Sequence, residues 1–400
     1  MQFPKKTLKD VPLQGKAVLV RTGFDVPLRE NDGEMVITDD YRIVKGLPTI
    51  KYLLEQDCKI VLVSKLGRPD GVDKALSLEP VAKHLGELLE MDVKFCSETT
   101  GPVARHAKKS LKAGEVLLLE NLFFDPREKA NDLEFAKEVA EMCDYFVQDC
   151  FSSAHREQAL MSVVNQALPG SAGLLLIQEY EKLTHAVEES EQPRCAVVGG
   201  AKIETKIDLL NKLIDTMDSV IIGGALANTF LVAKGVNVGS SKYDKDQVQT
   251  AKDILQKLED KNGVVYYLPD IDVAVSADPK TKQPRKEVSV GKVAPEEWIL
   301  DLGEESIKKM MELVSESKTV IWNGPIGMTS KPAFADGSRV LAEYLAKNNK
   351  KVDSIIGGGD TADFINTLGL VGKMTHVSTG GGASLQLISG QELPAVESLL

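Results

Sequence analysis

Cys195-Ala196-Val197-Val198-Gly199-Gly200-Ala201-Lys202 is a short apolar run that breaks at a glycine pair and passes into a helical pattern. The same order returns at Ile222-Gly223-Gly224, at Ile356-Gly357-Gly358-Gly359-Asp360 and at Ser378-Thr379-Gly380-Gly381-Gly382. At each junction the backbone N–H groups that open a helix can face an anion with no side chain in the way. Several such junctions in one region point to a phosphate-rich ligand such as a nucleotide. The lysine in the first of them points to phosphoryl transfer.

Apolar runs of this kind continue in both directions. Residues 16–20, 59–63, 115–119 and 144–147 read as buried strands in the first half, separated by amphipathic segments such as 78–90 and 133–142. Residues 195–198, 220–222, 264–268, 319–322 and 354–356 do the same in the second half. Alternation on this scale predicts an α/β fold with parallel sheets covered by helices on both faces. Four hundred residues exceed what one core usually supports, so two domains are expected. Residues 178–190 are charged and helical in pattern before Pro193, which makes them a connecting helix. The C-terminal residues are too few for a domain and are expected to pack on one of the others.

Composition narrows the function classes. Hydrophobic residues make up 43% and charged residues 27%, enough apolar material for two cores. The start of the chain leads into polar sequence and no apolar run reaches the length of a membrane span, so a cytoplasmic protein with no membrane partner is expected. Five cysteines form no Cys-x-x-Cys pair, which fits reduced thiols in the core. A net charge of −11 argues against a nucleic-acid surface, since phosphate backbones require a basic stripe. Phosphate ligands must find local positive charge.

Lys202 and Lys206 stand four apart, which on a helix puts both ammonium groups on one face near its positive end. Two cations there gain nothing for the fold. A bound polyanion would repay them, although lysines turned to solvent are the plainer reading. Asp360 suits the N-cap of a helix over 361–368, or equally a carboxylate for the magnesium of a metal–nucleotide complex. Gly223-Gly224 taken alone needs no more than a tight turn. No Gly-Lys-Ser or Gly-Lys-Thr closes a P-loop, and no kinase-type Gly-x-Gly-x-x-Gly is present.

Gly199-Gly200-Ala201-Lys202-Ile203-Glu204-Thr205-Lys206, Trp322-Asn323-Gly324-Pro325, Gly357-Gly358-Gly359-Asp360-Thr361 and His376-Val377-Ser378-Thr379-Gly380-Gly381-Gly382-Ala383-Ser384 together resemble the signatures of the phosphoglycerate kinase family, in that family's order. The resemblance runs from about Leu13 to the C-terminus. It implies two Rossmann-like three-layer domains joined by a helix and hinge: residues 1–175 for 3-phosphoglycerate, 176–190 as connecting helix, and 191–383 for magnesium ADP or ATP. It further implies that 384–400 return to the first domain and that the protein is a monomer that bends to bring its substrates together. Residue by residue, it makes Lys202 the cation that follows the transferring phosphoryl group and Lys206 a contact to the nucleotide phosphates. Gly358 and Gly359 become backbone donors, with the 380–382 turn, and Asp360 the magnesium contact. Gly200, Ala201, Gly224, Asn323, Pro325 and Thr361 become nucleotide-pocket surface. Arg42 matches the arginine that stabilises the transferring group, and Arg68 and Arg156 match acceptor-binding arginines, although any one of them alone reads as a surface arginine.

Several acceptor positions depart from the family pattern. Arg-Val-Asp-Phe-Asn-x-Pro is replaced by Arg21-Thr22-Gly23-Phe24-Asp25-Val26-Pro27, the histidine of Ser-His-Leu-Gly-Arg-Pro by Lys65, and the arginine of Glu-Asn-x-Arg-Phe by Phe123. The second histidine of Ala-His-Arg-x-His becomes Gln158. Gly23 and Lys65 each add a positive unit while Asp25 and Phe123 each remove one, so formal charge balances. Asp25 and Lys65 therefore stay among the expected acceptor contacts, and Lys65 or Arg127 can take over from the missing arginine. Each lost charged hydrogen bond is worth roughly 1.5–3 kcal/mol, so two uncompensated losses cost about a hundredfold to ten-thousandfold in kcat/KM. In the nucleotide half, Thr329-Ser330 stands where the family has Phe-Glu, whose glutamate bonds the ribose hydroxyls. Three readings remain open: a working phosphoglycerate kinase with an altered acceptor pocket, interconverting 1,3-bisphosphoglycerate and ADP with 3-phosphoglycerate and ATP; a kinase of the same architecture acting on another carboxylate or acyl phosphate; and a catalytically weak nucleotide-binding protein.

Overall fold

Val18-Leu19-Val20 and Ile60-Val61-Leu62-Val63 turn successive side chains to opposite faces of one sheet, and both faces are buried. Val18, Val20, Ile60 and Leu62 pack against Ile43, Ile50 and Leu53 of the helix Tyr41–Glu55 and against Val81 and Leu85 of the helix Glu79–Leu89. Leu19, Val61 and Val63 pack the other way, against Ala104 of the helix Gly101–Lys109 and Phe135 and Val139 of the helix Leu133–Ala140. Continuous aliphatic strands thus become the middle layer of three.

The computed structural model describes residues 2–277 and 285–400. They form two compact units, Gln2–Glu181 with Glu392–Leu400, and Lys182–Gln391. The first unit contains β1 (Ala17–Arg21), the hairpin β2 (Leu28–Asn31) and β3 (Glu34–Ile37), then β4 (Lys59–Val63), β5 (Val93–Cys96), β6 (Val116–Leu119), β7 (Tyr145–Gln148) and β8 (Gly170–Ala172). Its main sheet is parallel throughout, in the order β5-β6-β4-β1-β7-β8. The second unit contains β9 (Arg194–Val198), β10 (Ser219–Ile222), β11 (Val265–Tyr267), β12 (Asp272–Ser276), β13 (Lys286–Ser289), β14 (Trp298–Leu302), β15 (Thr319–Asn323), β16 (Asp353–Gly357) and β17 (His376–Val377). Here the parallel order is β11-β10-β9-β15-β16-β17, with β13-β12-β14 as a separate antiparallel sheet.

In each main sheet the chain first fills one side of a central strand and later returns to fill the other. The order reverses beside β1 in the first sheet and beside β9 in the second. Ligands of open α/β sheets bind at such reversals, beyond the carboxyl ends of the strands. The loops after β1, β4, β6 and β7, and those after β9, β10, β15 and β16, are therefore the places to look for sites.

The unit boundaries lie a few residues from those expected. The expected connecting helix over 176–190 is part of a longer one, Leu174–Glu188, whose residues divide between the units at Glu181 and Lys182. Asp149 Oδ1 accepts the N–H groups of Leu175 and Leu176 at 2.9 and 3.4 Å, so this helix is capped from 26 residues upstream. The expected tail over 384–400 also divides. The helix Gly381–Ile388 stays with the second unit, and only Glu392–Leu400 belongs to the first. There Lys6 N–H donates to Leu400 O at 2.9 Å, Ala395 N–H to Ala154 O at 3.1 Å and Asn165 Nδ2 to Ser398 Oγ at 2.9 Å. No helix among the described residues is long and apolar enough to cross a membrane.

Leu393, Ala395, Val396 and Leu399 are buried, so these last residues act as core and not as a loose end. Leu393→Ala is expected to cost about 2–5 kcal/mol of stability, read as a lower denaturant midpoint for the first unit; an unchanged midpoint would mean that the tail carries none of that core.

Candidate active site

Strands β9 and β15 lie side by side, and the loops at their carboxyl ends touch backbone to backbone. Gly199 N–H donates to Asn323 O and Gly200 N–H to Pro325 O, each at 2.9 Å. A Cβ added at Gly199 would fall 2.2 Å from Pro325 O. One added at Gly324, whose φ is +96°, would fall 2.3 Å from Gly199 O. Gly224, which opens the helix Gly224–Ala233, closes in on the same point, with Leu226 N–H donating to Gly200 O at 2.8 Å. Glycine is required here by space as well as by dihedral angle.

These loops wall two adjoining cavities. The larger, about 720 Å³, is a normal size for a small-ligand site. Gly200, Ala201, Gly224 and Pro325 form one side of it, and Leu300, Met328, Phe364 and Leu368 supply apolar wall. Thr329 and Ser330 line it too, together with Lys242 and Arg339. The smaller, about 360 Å³, is lined by Lys202, Lys206, Asn323, Gly358, Gly359, Asp360 and Thr361. Both cavities share Gly200, Ala201, Pro325 and Asp360. Each single residue expected from the sequence to face the nucleotide lies in one wall or both, whereas of the expected 380–382 turn only Gly381 lines a cavity. The apolar wall of the larger cavity left no sequence signal, because its members come from separate elements.

The two lysines converge, but not as neighbours on one helix face. The helix that follows β9 begins only at Ile207, after a 3-10 turn over Glu204–Lys206. Lys202 is an exposed residue of the preceding loop. Lys206 is 8% exposed, and its ammonium donates to Asn323 Oδ1. Burial pushes the Lys206 pKa down to about 8 against the opposing pull of Asp360. With its oxygen turned to Lys206, Asn323 keeps a buried Nδ2 that has no partner among the described residues. A donor pair lining a cavity suits phosphate oxygens.

Gly358, at φ +92°, precedes the helix Gly359–Thr367 and takes the N-cap position, so Asp360 is not the N-cap but an exposed residue of the first turn. Thr361 is fully buried, and its hydroxyl accepts the Gly324 N–H at 2.9 Å. Its part is to tie the β15 loop to the helix start.

In the first unit, the loops after β1 and β4 meet at Asp25. Its carboxylate is ion-paired with Lys65 through Oδ2 and accepts the Gly67 N–H through Oδ1 at 2.8 Å. Arg42 Nη1 donates to the Asp25 carbonyl at 2.6 Å and lies 3.7 Å from Oδ2. Asp25, Arg42 and Lys65 are thus brought together, with Asp25 serving as their common anion. Burial lowers the Lys65 pKa, and Asp25 opposes that shift. Arg68 is exposed on the same loop as Gly67. Arg156 is exposed after β7, and among the described residues no hydrogen bond or ion pair joins it to the Asp25 group. A Cβ at Gly23 would stand 3.3 Å from Ser152 Oγ and 3.5 Å from Cys150 Sγ, which leaves little room for a carboxylate there.

Arg127, the other candidate for the missing arginine, has its charge already answered. Its guanidinium is held by Asp125 at 2.8 Å and Glu138 at 3.1 Å, and it stacks on Phe135 at 5.0 Å. The Phe123 ring is 7% exposed and carries two ammonium groups, Lys65 Nζ at 5.7 Å and Lys129 Nζ at 4.8 Å. Lys129 was not singled out in the sequence, where it is one lysine in a charged turn.

The phosphoglycerate kinase family model matches residues 8–391. The chain belongs to the phosphoglycerate kinase family. It is 43% identical over 398 residues to the phosphoglycerate kinase of Dictyoglomus turgidum and to that of Roseiflexus sp., covering 99% of this chain and of each relative. The structure of phosphoglycerate kinase from Coxiella burnetii matches with a TM-score of 0.85 and 36% identity, covering 99% of this chain and 98% of that one. The phosphoglycerate kinase of Pyrococcus horikoshii OT3 matches with a TM-score of 0.84 and 31% identity, covering 98% of both. The two Rossmann-like parallel-sheet domains and the phosphotransferase class are those of this family. The activity is reversible phosphoryl transfer between 1,3-bisphosphoglycerate and ADP, a glycolytic step, with ADP and ATP as substrates and magnesium as their usual partner.

Two predictions follow from the nucleotide half. Lys206 with a pKa of about 8 is charged below that pH and loses its proton above it. ADP affinity should therefore hold from pH 7 to 8 and then fall by up to about tenfold per further pH unit, measured by calorimetric titration. Lys206→Arg, which stays charged, should flatten the profile; the same fall in that variant would sink the assignment. Ser330 lines the larger cavity at the position where the resemblance expects a ribose-binding carboxylate; on that expectation 2′-deoxy-ADP should bind within a few-fold of ADP and Ser330→Glu should tighten ADP. Equal ADP affinity in the two forms would count against it.

Proposed function

We propose that the second unit binds magnesium ADP or ATP, the first binds 3-phosphoglycerate, and this chain is a working phosphoglycerate kinase with a rebuilt acceptor pocket. The observation that carries this reading is the buried Lys206 ammonium, set in a glycine-walled cavity beside an Asn323 Nδ2 that has no partner among the described residues. A cation is costly to bury without a counter-charge, and a polyphosphate supplies one. The apolar wall of the larger cavity suits the base, and the smaller cavity suits the phosphates.

In this reading Gly358 and Gly359 present backbone donors at the start of their helix, and Lys206 holds the phosphates. Exposed Lys202 follows the group in transfer. Asp360 is a single exposed first-turn carboxylate, and among the described residues no three metal-ligating side chains gather into a ready-made metal site. That fits a magnesium ion arriving on the nucleotide, with Asp360 adding one oxygen and the metal neutralising phosphate charge. A carboxylate oxygen of 3-phosphoglycerate attacks the γ-phosphorus of ATP in line. The bond to the ADP oxygen breaks, and the acyl phosphate forms. Arg42 spends one N–H on Asp25 O and keeps others for the equatorial oxygens of the phosphoryl group. Arg68 and Arg156 are exposed cations for the acceptor. The protein acts as a cytoplasmic monomer on small diffusible substrates.

The test is ATP-dependent phosphorylation of 3-phosphoglycerate with magnesium, trapping the acyl phosphate, beside a Lys202→Ala control. Turnover reduced at least a hundredfold by the substitution is expected. No turnover in the unaltered protein, with ADP still bound, would shift the reading to another carboxylate acceptor or to a nucleotide-binding protein.

A further inference from the structure

Lys65 and Lys129 stand over Phe123, which replaces the family's phosphate-binding arginine, and Arg127 follows four residues along the chain; the three cations differ in how far their charge is already answered. Lys65 is ion-paired with Asp25. Arg127 is ion-paired with Asp125 and Glu138. Lys129 has no carboxylate partner among the described residues; its only bond there is from Nζ to Pro69 O at 2.9 Å. An ammonium has three N–H donors, so two remain.

The bonded donor ties the ammonium to one of the acceptor loops. Pro69 directly follows Arg68, and the Gly67 N–H on the same loop holds Asp25. The Phe123 ring, with Lys129 Nζ 4.8 Å from its centroid, gives the ammonium an apolar, electron-rich seat that holds it without neutralising it. The lysine's own segment is fixed from below. It closes the short helix Pro126–Lys129, whose Glu128 is fully buried and accepts the Leu160 N–H at 3.0 Å. We propose that Lys129, seated on Phe123, binds the phosphate group of the acceptor in place of the absent arginine. Position 123 thereby changes from a ligand contact into a platform for one. This rests on the reading that the first unit binds 3-phosphoglycerate.

The experiment is steady-state kinetics and calorimetric binding of 3-phosphoglycerate with four proteins: unaltered, Lys129→Met, Lys129→Met with Phe123→Arg, and Arg127→Met. Lys129→Met should raise KM and Kd for 3-phosphoglycerate by about ten- to a hundredfold, leaving KM for ATP and the melting temperature unchanged. Phe123→Arg should restore most of that loss, and Arg127→Met should not reproduce it. A loss accompanied by a lower melting temperature and a weaker ATP interaction would mean a structural role and overturn the proposal. Unchanged 3-phosphoglycerate binding in Lys129→Met would overturn it alone. No 3-phosphoglycerate binding by the unaltered protein would overturn the acceptor reading and this proposal with it.

Discussion

The close passage of three glycine-bearing loops beyond β9, β10 and β15 is the constraint on which the nucleotide half depends. Gly199, Gly224 and Gly324 bring backbone to backbone at distances that no Cβ tolerates. That contact sets the β15 loop where Asn323 meets Lys206, and Thr361 locks it to the helix that begins at Gly359. A buried ammonium, an amide nitrogen with no partner among the described residues and the start of the helix Gly359–Thr367 then line one small cavity. None of these is favourable for an empty protein. Each becomes favourable when a polyphosphate is present, which is how a binding site stores specificity in its unliganded form.

The acceptor half is organised differently. Asp25 gathers Lys65, Gly67 and Arg42 into one cluster, so part of the positive charge is answered inside the protein. The substitutions that look damaging one at a time form a set. The lysine at 65 has its carboxylate at 25, the side chain missing at 23 leaves space occupied by Ser152 and Cys150, and the phenylalanine at 123 seats two lysines. Replacing one residue of such a set would leave a buried charge or a void. Replacing them together conserves charge while changing which atoms face the ligand.

The strands at β1, β4, β6, β7, β9, β10, β15 and β16 were legible because continuous aliphatic runs buried on both faces have few alternatives. β8 was not, since Gly170-Ser171-Ala172 is buried for want of space: a Cβ at Gly170 would fall 2.2 Å from Asn165 Oδ1. The start of the helix Leu174–Glu188 was hidden as well, because its cap is Asp149, which no local pattern can supply. The glycine junctions located residues that wall the two cavities, although spacing misjudged how Lys202 and Lys206 converge and left Asp360 open between a cap and a magnesium carboxylate. Lys129 and the apolar wall of the larger cavity were invisible for one shared reason. Their meaning comes from neighbours distant in sequence, and in isolation a lysine in a charged turn looks like solvent-facing charge.

A structure of the protein crystallised with 3-phosphoglycerate and magnesium ADP would test the central claim, that an intact nucleotide site is joined to an acceptor site rebuilt on lysine. The account predicts ADP phosphates within hydrogen-bond reach of Lys206, Asn323 Nδ2 and the Gly358–Gly359 backbone, and the acceptor phosphate on Lys129. Nucleotide bound as described with 3-phosphoglycerate held away from Lys129, or absent at saturating concentration, would contradict it.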